Sequence, residues 1–262
     1  MRKTFITALF LILAAHTALA IPTLQVDIVG GFYDPITETI ITNNTTGVVT
    51  VLAILTPTPN NASNHAALLA DTYYISSALS PEPASAGDYG SFDFEGTTLD
   101  VTDDMIYGTP PLDALEGFHD PGDLANHGIF PTYFYEHEFQ FDPNNTTARY
   151  NSQDNPGGYD PSGSGAYYAE FEVNVADLDS EFNMHFDLYS SDVKTNGDID
   201  VDDFAPFSHD GEIRQGPGPG GPGPGGPGPG GPGPGIPEPG TLTLLVGGLA
   251  LLAKRRRSSD SK

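Results

Sequence analysis

The sequence predicts an all-β protein: one antiparallel β-sandwich, jelly-roll-like, with a segment of different character at each end. Three observations predict it. Apolar and polar residues alternate with period two in several stretches, as a half-buried strand requires. Tyr133, Tyr135, His137, Phe139 and Phe141 alternate with Phe134, Glu136, Glu138 and Gln140. Turn-forming clusters of Gly, Pro, Asn, Asp and Ser separate these stretches. Helical patterns are scarce, and many strands with long loops and few helices favour a sandwich.

Taken in order, residues 1–20 read as a secretory signal peptide. Arg2 and Lys3 make the cationic start, residues 5–15 the apolar stretch, and Ala18-Leu19-Ala20 the small-x-small cleavage site, with Ala18 and Ala20 as its small residues. Ile21 is then the first mature residue. The body, residues 21–213, holds strand candidates at 24–29, 48–55, 72–79, 89–94, 133–141, 167–175 and 182–188. In the last, Phe182, Met184, Phe186 and Leu188 alternate with Asn183, His185 and Asp187. Residues 65–70 and 111–115 are long enough for a helical turn or two.

Residues 214–235 form a linker whose last twenty residues are four copies of Gly-Pro-Gly-Pro-Gly. Collagen needs glycine at every third position, so this is an extended spacer instead. At about 3.1 Å per residue it reaches up to ~60 Å. Residues 236–262 follow. Pro237-Glu238-Pro239 is a stiff tripeptide, residues 241–253 are uncharged and mostly apolar, and Lys254, Arg255, Arg256 and Arg257 are consecutive cations. Cations after an apolar run resist translocation and stay on the cytoplasmic side. The run is shorter than the roughly 17–20 residues a spanning helix needs. This order of parts resembles the PEP-CTERM sorting signal. The resemblance implies a tail that enters the membrane as a hydrophobic helix and is processed by an exosortase in a bacterium that makes exopolysaccharide.

The body carries a resemblance too. LQVDIVGGFYD (24–34), DTYYISSAL (71–79), GDYGSFDFEGTTLDVTDDMIYGTPP (87–111), DPGDLANHGIFPTYF (120–134) and FAPFSHD (204–210) are similar to the choice-of-anchor N family. That resemblance implies a cell-surface domain and supplies no reaction and no catalytic residues.

Charge narrows the partners. The chain has 10 Lys and Arg against 35 Asp and Glu, a net charge of −25. Only Arg149, Lys194 and Arg214 are basic within residues 21–235, against 33 carboxylates, so the body stands near −30. Such a surface repels nucleic acid and anionic lipid and favours divalent cations. There is no cysteine, which excludes disulfides, thiolate metal sites and cysteine nucleophiles.

Among site candidates, Asp198, Asp200 and Asp202 alternate in NGDIDVDD and are expected to turn carboxylates inward from one loop, as Ca²⁺ requires. Asp203 stands where an EF-hand needs glycine and His209 where it needs glutamate, so this is no EF-hand. His119 and His127 flank Asp120 and Asp123, a mixture suited to zinc or manganese, without ligand spacing on a regular element. His137 and His185 read as packing residues within strands. The pairs Glu136/Glu138 and Glu170/Glu172 are the carboxylates a glycosidase would draw on, and equally the solvated face of a strand. No GxSxG, HExxH or phosphate-binding glycine loop occurs, and no enzyme is expected. The expected function is an exported structural or interaction protein displayed among exopolysaccharide. The alternatives are a carbohydrate-binding module using Tyr73, Tyr74, Tyr107, Tyr159, Tyr167 or Tyr168, and a glycoside hydrolase.

Overall fold

Strands dominate the computed structural model, which describes residues 23–58, 62–85, 87–111, 124, 128–193 and 199–215. The chain runs through β1 (Leu24–Ile28), β2 (Phe32–Asp34), β3 (Thr39–Thr42), β4 (Val49–Leu55), the helix α1 (Ala62–Ala70) and β5 (Tyr73–Ser80). It continues through β6 (Ser91–Phe94), β7 (Thr97–Asp100), β8 (Ile106–Gly108), β9 (Thr132–Phe139), β10 (Thr146–Ala148) and β11 (Gly165–Asn174). Then come β12 (Asn183–Val193), β13 (Ile199–Phe204), a 3-10 turn (Phe207–His209) and β14 (Gly211–Ile213).

These strands build two sheets. The first has the order β1-β4-β11-β6-β7, with β10 also paired to β11. The second has the order β2-β3-β14-β12-β5-β9-β8, with β13 also paired to β12. Neighbours are antiparallel except β3 and β14, which run parallel, so the second sheet is mixed. The core lies between the sheets. Val26, Ile28, Val51, Phe171 and Val173 of the first sheet share one apolar cluster with Ile75, Leu79, Met184, Phe186 and Leu188 of the second. The protein is an all-β sandwich.

β4 shows how the sequence chooses burial. Its run VTVLAIL is nearly continuous and apolar, and all but Thr50 is buried. A strand covered on both faces reads that way. Its inward residues enter the core, while Leu52 and Ile54 pack outward against Tyr150 and Ala166. Gly90 is required where the chain enters β6. Its φ is +79°, and an added Cβ would overlap the Asp177 carbonyl oxygen.

The long strands match the period-two stretches to within a few residues. α1 starts at Ala62, earlier than the expected 65–70. The expected helical turn at 111–115 falls on residues outside those described, beyond Pro111. The expected acidic loop at 196–203 becomes strand in its second half, with Asp200 opposite Asp192. The chain falls into two units, residues 1–225 and 226–262. The signal peptide, the Gly-Pro repeats and the C-terminal tail lie outside the described residues. Among the described residues, no helix is long and apolar enough to cross a membrane.

Candidate functional site

β12 occupies the interior of the second sheet, between β14 and β5. Pleating sends Met184, Phe186 and Leu188 into the core, so His185, Asp187 and Tyr189 face the opposite way. That outer face is buried as well: His185 and Tyr189 are 0% exposed and Asp187 4%. One part of it is covered by apolar packing, where Leu124, Ile129, Phe130 and Phe134 gather with Ala78 and Tyr189.

Registry brings acidic groups together on this face. His185 lies opposite Glu212 of β14, and Asp187 lies opposite Ser76 of β5, which in turn lies opposite Glu136 of β9. Asp210 directly precedes β14 and so arrives beside Asp187. The His185 Nε2 atom stands 3.4 Å from Asp187 Oδ2 and 3.6 Å from Asp210 Oδ2. One donor atom from each of the three residues falls within a 4.8 Å span. Asp210 is 1% exposed. Burial, and then the charge of Asp187, push its carboxyl well above the usual range.

The surrounding groups are paired. Arg214 donates to Asp34 at 2.8 Å and lies 3.4 Å from Glu212, which also accepts a 2.6 Å hydrogen bond from Asn183. The Tyr189 hydroxyl donates to Glu136. Tyr74 stacks on Tyr189 at 5.8 Å. Asp210 differs: among the described residues no hydrogen bond of sound geometry reaches either of its carboxylate oxygens. The Thr39 hydroxyl beside it donates to the Thr37 carbonyl at 3.0 Å instead.

A second buried carboxylate, on the first sheet, makes the contrast. Asp27 accepts from the Tyr150 hydroxyl at 2.7 Å, from the Gly157 N–H at 3.0 Å and from the Ile28 N–H at 2.8 Å. It fastens the 150–157 segment over Leu52 and Ile54, so its role is structural. Burial pushes its carboxyl above the ordinary 3.8, against the Tyr150 and Gly157 bonds that favour the anion. A raised folded-state pKa contributes stability below the unfolded value and loses it as pH rises through the folded value. The melting temperature of the wild type minus that of Asp27→Asn should therefore fall as pH rises from the ordinary 3.8 through the raised folded-state value, and then level off. A difference that rises over that window would contradict the assignment.

The sequence-predicted residues are placed as follows. Asp198 lies outside the described residues. Asp200 and Asp202 stand on β13, where the backbone sets residues two apart about 7 Å from one another along a strand and not around one loop. His119, Asp120, Asp123 and His127 lie outside the described residues, as do Ala18, Ala20, Pro237, Glu238, Pro239, Arg255, Arg256 and Arg257. His137 packs between Phe94 and Phe171, as expected. His185 is corrected: it does not pack in the core but meets carboxylates on the outer face. Glu136 and Glu138 belong to the outer face of the second sheet, Glu170 and Glu172 to that of the first, with the sandwich between the pairs. Tyr73 is corrected from the exposed pool, being 1% exposed. Tyr159 meets Tyr168, and Tyr107 meets Tyr133, edge to face.

Sequence reasoning missed the cluster of His185, Asp187 and Asp210. Its local signal was present, a histidine and an aspartate two apart on the polar side of a strand. Asp210 joins only through the β12–β14 pairing. Comparison with protein-family models finds no match, and comparison with curated proteins finds none.

Proposed function

We propose that the chain is an exported bacterial surface protein, sorted through its C-terminus by an exosortase and displayed among exopolysaccharide on a Gly-Pro stalk. The observation that carries this reading is the order of parts after the last strand. Ile213 ends the sandwich, the Gly-Pro repeats follow, and Pro237-Glu238-Pro239, the apolar run and the arginine cluster come in succession. The resemblance to PEP-CTERM tails and to the choice-of-anchor N family supports it. The acidic body agrees with a domain that does not bind nucleic acid. No reaction is assigned to it.

The test is fractionation of cells that carry an exosortase. Wild-type protein should leave the membrane fraction for the cell surface. A variant with Pro237, Glu238 and Pro239 all changed to alanine should stay in the membrane. Equal partition of the two proteins would remove the tail from the account.

A further inference from the structure

We infer that His185, Asp187 and Asp210 form a closed binding site for a divalent cation of the first transition series, Zn²⁺ being the type ion. This goes beyond surface display and does not rest on it.

The donor set comes first. One imidazole nitrogen and two carboxylate oxygens suit zinc or manganese, whereas Ca²⁺ takes oxygen donors alone. The spacing agrees. With bonds of about 2.0–2.2 Å, neighbouring donors of a tetrahedral ion stand about 3.4 Å apart. The His185 nitrogen is 3.4 and 3.6 Å from the two aspartate oxygens. A direct N–H···O bond is shorter, roughly 2.7–3.2 Å. These two separations suit ligands of one ion better than a histidine hydrogen-bonded to both carboxylates, and the three donor atoms together lie within 4.8 Å.

Charge points the same way. A neutral imidazole and two carboxylates carry two negative charges, which a divalent cation cancels. Enclosing carboxylates is costly unless nearby charge and hydrogen bonds offset it, and a bound divalent cation does so directly. Arg214 is the cation on this face among the described residues, and its ion pairs are with Asp34 and Glu212. Asp210 supplies the independent observation. It is 1% exposed, and no hydrogen bond of sound geometry reaches either of its oxygens among the described residues, the adjacent Thr39 hydroxyl donating to Thr37 instead. The equally enclosed Asp27 is fully bonded, so an unbonded buried aspartate is not a general habit of this fold. Ser76, opposite Asp187, is fully buried with its hydroxyl unbonded among the described residues. It or a water completes four-coordination. A site closed to solvent in this way is structural, and its ion ties β14 to β12 where a cysteine-free protein has no disulfide to do so.

The experiment uses the full-length protein, purified without a polyhistidine tag and stripped with a chelator. Titration should show one equivalent of Zn²⁺ bound, a higher melting temperature, and little response to Ca²⁺ at matched ionic strength. Asp210→Asn should weaken Zn²⁺ binding by roughly 100-fold or more, because loss of even a supporting group costs 10–100-fold. The double variant Asp200→Asn, Asp202→Asn should bind as the wild type does. Absence of stoichiometric Zn²⁺ binding, or full affinity in Asp210→Asn, overturns the site. If Asp210→Asn fails to fold, zinc X-ray absorption on the wild type decides. A shell containing one imidazole and oxygen donors supports the inference, and a shell without imidazole overturns it.

Discussion

Replacing Phe186 with alanine should cost about 3–5 kcal/mol, the largest loss expected from one side chain in this domain. Phe186 is 0% exposed on β12, inside the second sheet. Its neighbours in register are Gly211 on β14 and Ser77 on β5, both small. The ring takes the space that they leave. Gly211 cannot be enlarged to refill it, because an added Cβ would stand 2.8 Å from Val26 Cγ1 of the facing sheet. A cavity that its surroundings cannot close carries the upper part of the cost. For a domain of this size the melting temperature should fall by roughly 6–20 °C. Phe186→Leu, which keeps most of the volume, should lose much less. A loss below about 1 kcal/mol for the alanine variant would place the ring outside the core.

Replacing Arg214 with alanine should cost about 2–4 kcal/mol, through charge where the first acts through volume. Arg214 joins Asp34 of β2 to Glu212 of β14, across the strand β3. Glu212 is 2% exposed and would be left with Asn183 alone among these partners. The arginine is itself 21% exposed on its side chain, so water recovers part of the loss. Lysine keeps the charge without the planar fork that reaches Asp34, Thr37 and Glu212 together, and should recover only part of the stability. Glu212→Gln combined with Arg214→Ala should cost less than the two single changes added, since the partners are coupled. Additive costs would show that the bridge contributes nothing.

The sandwich was legible because its long strands carry their burial in their spelling. β11 and β12 alternate, and β4 is apolar throughout, as pleating and two-sided covering require. β3 and β14 escaped notice for a physical reason. Four and three residues are too few for a period to show, and TIIT and GEI are buried by their neighbours and not by their own pattern. The acidic stretch at 196–203 drew attention by composition, yet β12 recruits it from Ile199 onward as a partner strand. The buried cluster was half legible. His185 and Asp187 are two apart on one strand, but Asp210 reaches them only because β14 inserts between β3 and β12. That insertion includes the one parallel pairing among the described strands, which no local pattern announces.

Surface display after removal of the tail is the central claim, and intact mass tests it most directly. Protein recovered from the surface of exosortase-bearing cells should have a mass that begins at Ile21 and lacks Lys254, Arg255, Arg256 and Arg257. A surface protein whose mass still includes the arginine cluster would contradict the account and leave the tail as a permanent anchor.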